Sequence, residues 1–330
     1  MFFSIYAGPN LVNIASSNPD HPDLEPLRKV FGQRLKYNIS LARYTAAQIG
    51  GPAMVLLEVQ TADELAVAAQ MLWQVHLPWL ILGGGSNVLV SDRGVRGVVI
   101  VNRARRIEFE ERTQPPTIWA ESGANFGLVA RQAASRGLSG LEWAVGIPGT
   151  VGGAVVGNAG AHGGDMAGNL RVAEILQQSS RSGEVQVERW PAARLEYGYR
   201  TSLLKRQPGL AVVLTATLAL ERSTLAEVQA KTETFAIYRR QTQPSGASMG
   251  SMFKNPSGDF AGRLIEAAGL KERRVGEAQI SSLHANFFIN LGRATAGDVF
   301  TLIQMARREV AEKFGVELEL EIERIGDWDH

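Results

Sequence analysis

The sequence predicts an α+β protein in which a ligand-binding domain, ending near residue 222, precedes a smaller α/β domain. Two observations indicate this fold class. Residues 53–101 alternate short apolar runs with an amphipathic segment, the pattern of a strand, a helix and further strands. From about Ser223 the pattern changes to long helical segments separated by polar stretches. With 330 residues, the chain is long enough for two or three domains with large cores.

The elements of the first domain follow from apolar runs and capping residues. Thr61 and Glu64 form a capping box that begins a helix over 61–75. Gly137 ends a second helix over 125–136. Strands are predicted over 55–59, 79–82, 97–101, 107–111, 117–121, 172–177, 184–188 and 211–220.

The second domain is predicted to be an α/β domain of helices and strands. Residues 241–252 are small and polar and predict an irregular segment. Residues 1–30 show no clear period and predict an N-terminal extension, before a first domain over 31–222 and a second over 223–330. Helices are predicted over 223–240, 260–268 and 295–314, and strands over 284–290 and 316–325.

A glycine-rich stretch over 146–164 is the strongest feature of the sequence. Eight of its 19 residues are glycine, which lets the backbone adopt positive φ and lets a ligand approach the main chain closely. Val151, Ala154, Val155 and Val156 between the glycines are typical of a buried strand. The stretch predicts a backbone cradle for a phosphate or dinucleotide ligand. A pair of tight turns within a core is the competing interpretation.

A second glycine cluster, GGGSN at residues 83–87, follows an apolar run. Neither cluster matches a known phosphate motif. Val151 stands where a P-loop beginning at Gly146 needs glycine, and Val88 stands where a dinucleotide fingerprint beginning at Gly83 needs one. Because each glycine loop adjoins an apolar run, the two loops are predicted to hold one elongated phosphorylated ligand between them.

Composition excludes several classes of protein and site. The chain has no cysteine and five scattered histidines, so no disulfide, thiolate chemistry or metal centre is expected. The net charge is +1 without long blocks of like charge, so neither nucleic acid nor a membrane is an expected partner. No apolar run approaches a membrane span, and the N-terminus lacks the pattern of a signal peptide. A soluble cytoplasmic protein is therefore expected.

Three polar clusters are candidates for chemistry. Arg200 lies in a turn rich in glycine and tyrosine, where a guanidinium can meet a carboxylate in fixed geometry, or form only a surface ion pair. Residues 250–256 (GSMFKNP) bring together a hydroxyl, an ammonium and an amide, or form an ordinary turn. Alternation over 317–323 puts four carboxylates on one face of a strand, which is catalytic or merely solvated. None of these clusters identifies a reaction by itself.

Taken together, these stretches resemble the UDP-N-acetylenolpyruvoylglucosamine reductases (UDP-N-acetylmuramate dehydrogenases), flavoenzymes of peptidoglycan precursor synthesis. The resemblance covers nearly everything from about Leu35 to Gly326 and rests on the order and spacing of short motifs. These are IGGPA at 49–53, LGGGSN at 82–87, GIPGTVGG at 146–153, NAGA at 158–161, YRTS at 199–202, GS at 250–251, FKNP at 253–256 and LELEI at 318–322. The short segment between Arg200 and Ser251 resembles the family branch without an inserted capping loop.

The resemblance implies a two-subdomain FAD-binding module of the vanillyl-alcohol-oxidase (PCMH) type and a smaller C-terminal α/β substrate domain. It implies non-covalent FAD, NADPH as the reductant, and the enolpyruvyl ether of UDP-N-acetylglucosamine as the substrate, which becomes UDP-N-acetylmuramate. In this reaction flavin N5 delivers hydride to C3 of the enolpyruvyl group and a serine protonates C2. The oligomeric state is not evident from the sequence, and a monomer is favoured.

By the same resemblance, Arg200, Ser251 and Glu321 match the catalytic positions, with Ser251 as the proton donor. A carboxylate beside developing negative charge is repelled unless it is protonated or lies behind the proton donor. Glu321 is therefore expected to have a perturbed pKa or a relay role. Lys254 and Asn255 are expected to contact the substrate. The expected cofactor contacts are Gly83, Gly84, Gly85, Ser86, Asn87, Gly146, Ile147, Pro148, Gly149, Gly152, Gly153, Asn158, Gly160, Ala161 and Arg239.

Three positions depart from the family pattern. Gln48 replaces a basic residue, His162 a tyrosine and Glu323 an arginine. These departures concern expected flavin or phosphate contacts and not the reaction. Two alternatives stay open: another FAD-dependent oxidoreductase of the same fold that acts on a sugar or hydroxy acid, and a non-catalytic flavin-binding protein. The second predicts loss of a catalytic residue, and all three are present.

Overall fold

The computed structural model describes residues 22–75, 77–179 and 183–328. The N-terminal stretch considered for a signal peptide, and most of the predicted extension, lie outside these residues. Within them the chain builds two sheets with flanking helices, and then a third sheet covered by helices. The described part therefore has the domain order that the sequence predicts.

The first domain contains two larger sheets and short two-stranded pairs. Its strands are β1 (Leu35–Ser40), β2 (Pro52–Val59), β3 (Trp79–Leu82), β4 (Val88–Val90), β5 (Val95–Asn102), β6 (Ile107–Glu110), β7 (Thr117–Glu121), β8 (Leu138–Ser139), β9 (Gly160–Ala161), β10 (Gly164–Asp165), β11 (Leu170–Gln178), β12 (Val185–Pro191), β13 (Ala211–Ala219) and β14 (Glu221–Arg222). Its helices are α1 (Glu25–Phe31), α2 (Ala62–Trp73), α3 (Phe126–Ala134), α4 (Val151–Gly157), α5 (Met166–Asn169) and α6 (Leu203–Arg206).

Helix α2 joins the two sheets into one module. The first sheet has the order β1-β2-β5-β3 and the second the order β12-β11-β13-β7-β6. Strands β2 and β5 are buried almost throughout, as expected for parallel neighbours covered on both faces. On α2, Leu65 and Leu72 pack in one core with Val55 and Val98 of the first sheet and Leu214 of the second. This shared core holds the two subdomains together.

The second domain is built on an antiparallel sheet of order β15-β18-β17-β16. Capping boxes at Thr224 and Thr295 begin its two long helices, and Gly315 in the left-handed conformation ends the last one. Its elements are α7 (Leu225–Thr242), β15 (Ala247–Ser251), α8 (Ala261–Ala267), β16 (Arg274–Val275), β17 (Ala278–Ile280), β18 (Phe287–Asn290), α9 (Ala296–Phe314) and β19 (Glu323–Ile325).

A strand pairing and a helix cap are among the contacts that anchor the second domain to the first. Strand β19 pairs in parallel with β4 of the first domain. At the other end, the Asp92 carboxylate accepts hydrogen bonds from the backbone N–H groups of Ala296 and Gly297 at 2.8 and 2.9 Å. Asp92 thus satisfies free N–H groups in the first turn of α9. These contacts fix the second domain against the loop that follows β3.

Two predicted strands differ in the structure. The valine-containing run that predicted a buried strand is helix α4, which Thr150 begins by accepting a hydrogen bond from Gly153 N–H. Val151 and Val155 are fully buried, so the prediction of burial was right and that of conformation was wrong. The closing strand predicted over 316–325 is reduced to β19, and residue Leu320 forms only an isolated bridge with Phe253.

Two segments predicted to be irregular are ordered. Residues 241–252 contain β15, which pairs with β18 although it lacks an apolar alternation. Residues 22–30, placed in the predicted extension, lead into α1, and Leu24 and Leu27 are fully buried in the core around α2. This part of the predicted extension therefore belongs to the folded first domain.

Candidate active site

The two glycine loops lie against each other. A Cβ atom added to Gly84 would lie 2.9 Å from Gly149 Cα, and one added to Gly83 would lie 2.4 Å from Thr150 Oγ1. The Ser86 hydroxyl donates a hydrogen bond to the Pro148 carbonyl at 3.3 Å. Only glycine allows this approach of two backbones, since any side chain would push the loops apart. The loops therefore form one cradle, and their contacts to a cofactor stay a prediction.

The first loop is also fixed from behind. Gly85 has a φ of 59°, and a Cβ atom there would lie 2.1 Å from the Tyr44 carbonyl oxygen. The Gly85 carbonyl accepts a hydrogen bond from Ala46 N–H at 2.9 Å. Residues 44–46 were not predicted to support the site. Their contact with the loop is made by backbone atoms, which leave no pattern in the sequence.

Replacing Gly84 with alanine is expected to weaken FAD binding about 10- to 100-fold. The added methyl group would force the loops apart, and overpacking of this kind costs about 1–3 kcal/mol. The measurement is the dissociation constant of FAD from quenching of its fluorescence. Gly157→Ala is the matched control because it lies in the same glycine-rich stretch with nothing within 4 Å of the added Cβ. Equal affinities for the two variants would contradict the close approach.

Arg239 of α7 faces the second glycine loop. Its Nε would lie 3.2 Å from a Cβ atom placed on Gly146. Burial lowers the pKa of the Arg239 guanidinium, and no carboxylate of the described residues offsets that effect. A half-buried cation without a carboxylate partner is suited to an anionic ligand. The predicted role of Arg239 as a phosphate contact is consistent with this position.

His162, one of the departures from the family pattern, packs beside Arg239. Its ring stacks on Phe235 with centroids 4.3 Å apart and meets Tyr238 edge-on at 5.4 Å. Burial, and then the Arg239 charge, lower the pKa of His162, which favours the neutral imidazole. His162 Nε2 is buried without a hydrogen-bond partner in the described part of the chain. His162 therefore connects the hairpin of β9 and β10 to α7 by ring stacking.

Several predicted cofactor residues have structural contacts. Gly152 N–H donates to the Ser122 carbonyl at 2.7 Å, which fixes α4 against the end of β7. Gly160 and Ala161 form strand β9 of the hairpin. Gly153 N–H donates to Thr150 Oγ1 at the start of α4. Any cofactor contact by these residues would be made by atoms that are not engaged in this way.

The Asn158 side chain is fully used within the protein. Its Nδ2 donates to Asp165 Oδ2 at 3.2 Å and to the Gly198 carbonyl at 3.0 Å, and its Oδ1 accepts from Ala167 N–H at 3.0 Å. Asn158 therefore fixes the turn that carries Arg200, and its predicted cofactor contact would involve only backbone atoms. This positioning role was not predicted from the sequence.

Arg200 and Glu321 meet directly, although they lie far apart in the sequence. Arg200 Nε lies 3.0 Å from Glu321 Oε1 in an ion pair whose angle does not meet hydrogen-bond geometry. Arg200 has a φ of 57°, a left-handed conformation that is unusual for a residue other than glycine. Strained backbone of this kind persists where the surrounding structure enforces it, often at functional sites.

Ser251 is brought to the same place through the backbone. It is the last residue of β15, and the carbonyl of the next residue, Met252, accepts a hydrogen bond from Glu321 N–H at 2.9 Å. The first glycine loop joins the cluster as well, because Asn87 Nδ2 donates to the Glu321 carbonyl at 3.1 Å. The three predicted catalytic residues and the cofactor cradle therefore converge.

The carboxyl group of Glu321 has a perturbed pKa. Burial raises the pKa of Glu321, and the positive charges of Arg200, Lys205 and Lys254 counteract this in part. The net direction is upward, so the protonated form is favoured relative to an exposed glutamate. This agrees with the expectation of a perturbed pKa for Glu321.

The two residues predicted to contact the substrate differ in their burial and in their partners. Lys254 Nζ pairs with Glu319 at 2.5 Å, and the Lys254 side chain is largely buried. Asn255 is exposed, and its Oδ1 accepts a hydrogen bond from Ala261 N–H at 3.1 Å at the start of α8. Both residues lie on the segment that follows Ser251 directly.

Sequence reasoning missed Lys205, which belongs to the cluster. Lys205 lies on α6, which Ser202 begins by accepting a hydrogen bond from Lys205 N–H. Lys205 Nζ forms an ion pair with Glu323 at 2.9 Å. The alternating glutamates over 317–323 were the sequence pattern that could have pointed to such a partner.

No group of three or more metal-binding side chains occurs among the described residues.

Comparison with known proteins identifies both halves of the chain. Residues 53–177 match the family model described as the FAD binding domain. Residues 242–325 match the model described as the C-terminal domain of UDP-N-acetylenolpyruvoylglucosamine reductase. Together they confirm the two-part fold, an FAD-binding domain followed by a smaller mixed α/β domain.

The chain is similar over most of its length to individual reductases. The UDP-N-acetylenolpyruvoylglucosamine reductase of Chloroflexus aggregans is 44% identical over 292 residues, covering 87% of this chain and 96% of that protein. The reductase of Rubrobacter xylanophilus is also 44% identical, covering 88% and 95%. The crystal structure of the Thermus caldophilus reductase superposes with a TM-score of 0.72 at 38% identity, covering 87% and 97%. The chain therefore belongs to the UDP-N-acetylenolpyruvoylglucosamine reductase family.

Proposed function

We propose that this protein reduces the enolpyruvyl ether of UDP-N-acetylglucosamine to UDP-N-acetylmuramate with FAD and NADPH, a step of peptidoglycan precursor synthesis. The observation that carries the proposal is the convergence of three separate segments. Arg200 Nε lies 3.0 Å from Glu321 Oε1, and Glu321 N–H bonds to the residue that follows Ser251. Asn87 connects this cluster to the glycine cradle. The described residues contain no helix long and apolar enough to span a membrane. We propose that the reaction takes place in the cytoplasm and that the enzyme is a monomer.

The residues present fit FAD. Gly84 and Gly149 let the two loops pack against each other, since a Cβ atom at either position would meet the other loop, and the joined loops form one backbone surface. Arg239 lies at one end of this cradle with a half-buried guanidinium that no described carboxylate neutralises. A backbone cradle with an unneutralised cation suits a dinucleotide with its charged pyrophosphate. When bound, FAD would supply the hydride-transfer chemistry between NADPH and the substrate.

Arg200 provides the fixed positive charge of the site. Asn158 holds the turn that carries it, through a 3.0 Å hydrogen bond to the Gly198 carbonyl. A guanidinium in this position binds the substrate carboxylate and stabilises the negative charge that develops next to it. Because that charge grows toward the transition state, the interaction accelerates the reaction and does more than bind the substrate.

Ser251 and Glu321 handle the proton. A serine hydroxyl is a weak acid, so it protonates only a strong base such as the carbanion-like C2 of the reduced enolpyruvyl group. The Glu321 N–H donates a hydrogen bond to the Met252 carbonyl, which places Glu321 beside Ser251. Burial raises the pKa of Glu321. We propose that Glu321 holds a proton and supports Ser251 as the donor, which avoids a repelling carboxylate next to the developing charge.

Anaerobic absorbance spectroscopy tests the proposal. The purified protein is expected to show a flavin band that NADPH bleaches and that the enolpyruvyl ether of UDP-N-acetylglucosamine restores. Plain UDP-N-acetylglucosamine, which lacks the double bond, is expected to leave the band bleached. A flavin that bleaches and never recovers would overturn the substrate, and a protein that cannot be loaded with FAD would overturn the whole proposal.

A further inference from the structure

Three ion pairs lie side by side around Glu321. Alternate glutamates over 319–323, which ends at the first residue of β19, each pair with a cation from a different part of the chain. Glu319 pairs with Lys254 at 2.5 Å, Glu321 with Arg200 at 3.0 Å and Glu323 with Lys205 at 2.9 Å. The cluster therefore contains as many carboxylates as cations.

The two outer pairs differ in their exposure to water. The side chains of Lys205 and Glu323 are only 17% and 12% exposed. In the other outer pair, the Glu319 side chain is 72% exposed. Water screens the charge of an exposed carboxylate, whereas a charge in a buried pair acts on its neighbours at lower dielectric. We therefore expect the charge of Glu323 to act on Glu321 more strongly than the charge of Glu319 does.

Both partners of the buried pair are held by backbone structure. Glu323 lies opposite Val88 in the parallel pairing of β19 and β4, and its N–H donates to the Asn87 carbonyl at 2.9 Å. Lys205 lies in the first turn of α6, whose cap residue Ser202 is fully buried. The backbone positions of both residues are therefore fixed by the strand pairing and by the helix cap.

We propose that Glu323 is a positioning residue of the reaction, which holds Lys205 in a buried ion pair and so offsets part of that ammonium charge at Glu321. The inference rests on the proposed function, in which Glu321 holds a proton beside Ser251. Without Glu323, the ammonium group would stand uncompensated near Glu321 and favour its ionised form. The ion pair thus protects the protonation state that the proposed function requires.

The direction of the effect follows from the charges that face Glu321. These are Arg200 from the turn before α6, Lys205 from α6, Lys254 from the segment after β15, and Glu319 and Glu323 from its own segment. The cations lower the pKa of Glu321 against the upward effect of burial. Removing the Glu323 charge must therefore lower the pKa of Glu321, and removing the Lys205 charge must raise it.

The test uses two single variants with opposite expected signs. Glu323→Gln is expected to lower the pKa of Glu321 by about one unit, and Lys205→Met to raise it by a similar amount, the lower end of the range for a neighbouring charge. The double variant is expected to return close to the wild-type value. The pKa is read in the holoenzyme by infrared titration of the protonated carboxyl band, which is assigned by its loss in Glu321→Gln. The alkaline limb of kcat/KM against pH is expected to move in the same direction.

Glu319→Gln is the matched control. Glu319 also pairs with a cation that acts on Glu321, but the Glu319 side chain itself is mostly exposed. Its shift is expected to be clearly smaller than that of Glu323→Gln. An equal shift in the control, shifts of the same sign in the two single variants, or no shift in either would overturn the proposal. If Glu323→Gln does not fold, Lys205→Met and the double variant decide, because the pKa of Glu321 is expected to be lower in the double variant than in Lys205→Met. Because the infrared titration needs no turnover, an inactive wild-type enzyme would overturn the proposed function separately.

Discussion

Replacing Ser251 with alanine is expected to slow reoxidation of the reduced enzyme by the enolpyruvyl substrate about 10²- to 10⁴-fold, the usual contribution of a positioned proton donor. Reduction of the enzyme by NADPH is expected to keep its wild-type rate, because that half-reaction needs no proton from Ser251. Stopped-flow absorbance under anaerobic conditions measures the two half-reactions separately. The structural basis for this prediction is the position of Ser251 at the end of β15, next to the backbone hydrogen bond from Glu321 N–H to the Met252 carbonyl.

The control for this variant is Ser248→Ala. Ser248 lies on the same strand, opposite Ile289 of β18, and has no part in the proposed chemistry. Both half-reactions of Ser248→Ala are expected to match the wild type. Equal slowing of both half-reactions in Ser251→Ala would show a general disturbance of the site and remove the proton-donor role.

Replacing Arg200 with methionine is expected to lower the rate of the substrate half-reaction about 10²- to 10³-fold, the usual cost of losing one preorganised stabilising group. The variant removes the ion pair at 3.0 Å, and the pKa of Glu321 is expected to rise further because Arg200 counteracts the effect of burial. Pre-steady-state reoxidation over a range of substrate concentrations separates the effect on binding from the effect on rate.

Arg206→Met is the matched control for Arg200→Met. Arg206 lies nearby on α6 but is exposed and pairs with the exposed Glu196, so its removal is expected to leave both half-reactions unchanged. If Arg200→Met weakened substrate binding alone, with the rate at saturation unchanged, Arg200 would bind the substrate without stabilising the transition state.

Local chemistry made much of the fold predictable. Thr61 begins a helix as predicted, and its side-chain oxygen accepts the expected hydrogen bond from Glu64 N–H. Thr224 and Thr295 cap α7 and α9 in the same way, where the sequence predicted helices to begin. Long apolar runs such as β13 became buried strands. These elements were predictable because neighbouring residues determine them, and the third-residue acid of a capping box is visible in the sequence.

The errors occurred where contacts between distant residues decide the conformation. Val151 and Val155 favour a strand by propensity, yet the cap at Thr150 and packing against β13 hold them in a helix. Strand β15 has no apolar alternation, and its pairing with β18 defines it. No local pattern reveals either outcome.

The candidate site was predictable by residue type but not by pairing. Arg200, Ser251 and Glu321 came from motif resemblance, and the structure brings them together. The pairing of Lys205 with Glu323 depends on how α6 is placed against Glu323, the first residue of β19. No local sequence pattern predicts that placement. The same limit explains Asn158, whose amide is engaged with Asp165 and Gly198.

The pairing of β4 with β19 also has a consequence for the order in which the protein matures on the ribosome. Asn87 and Glu321, which are hydrogen-bonded to each other, are separated by 234 positions. At the usual translation rate of about 5–20 residues per second, the first glycine loop emerges about 10–50 seconds before the strand that completes it. Through this interval the edge of β4 lacks its native neighbour. A nascent chain is therefore expected to acquire its flavin only after the last segment has been released.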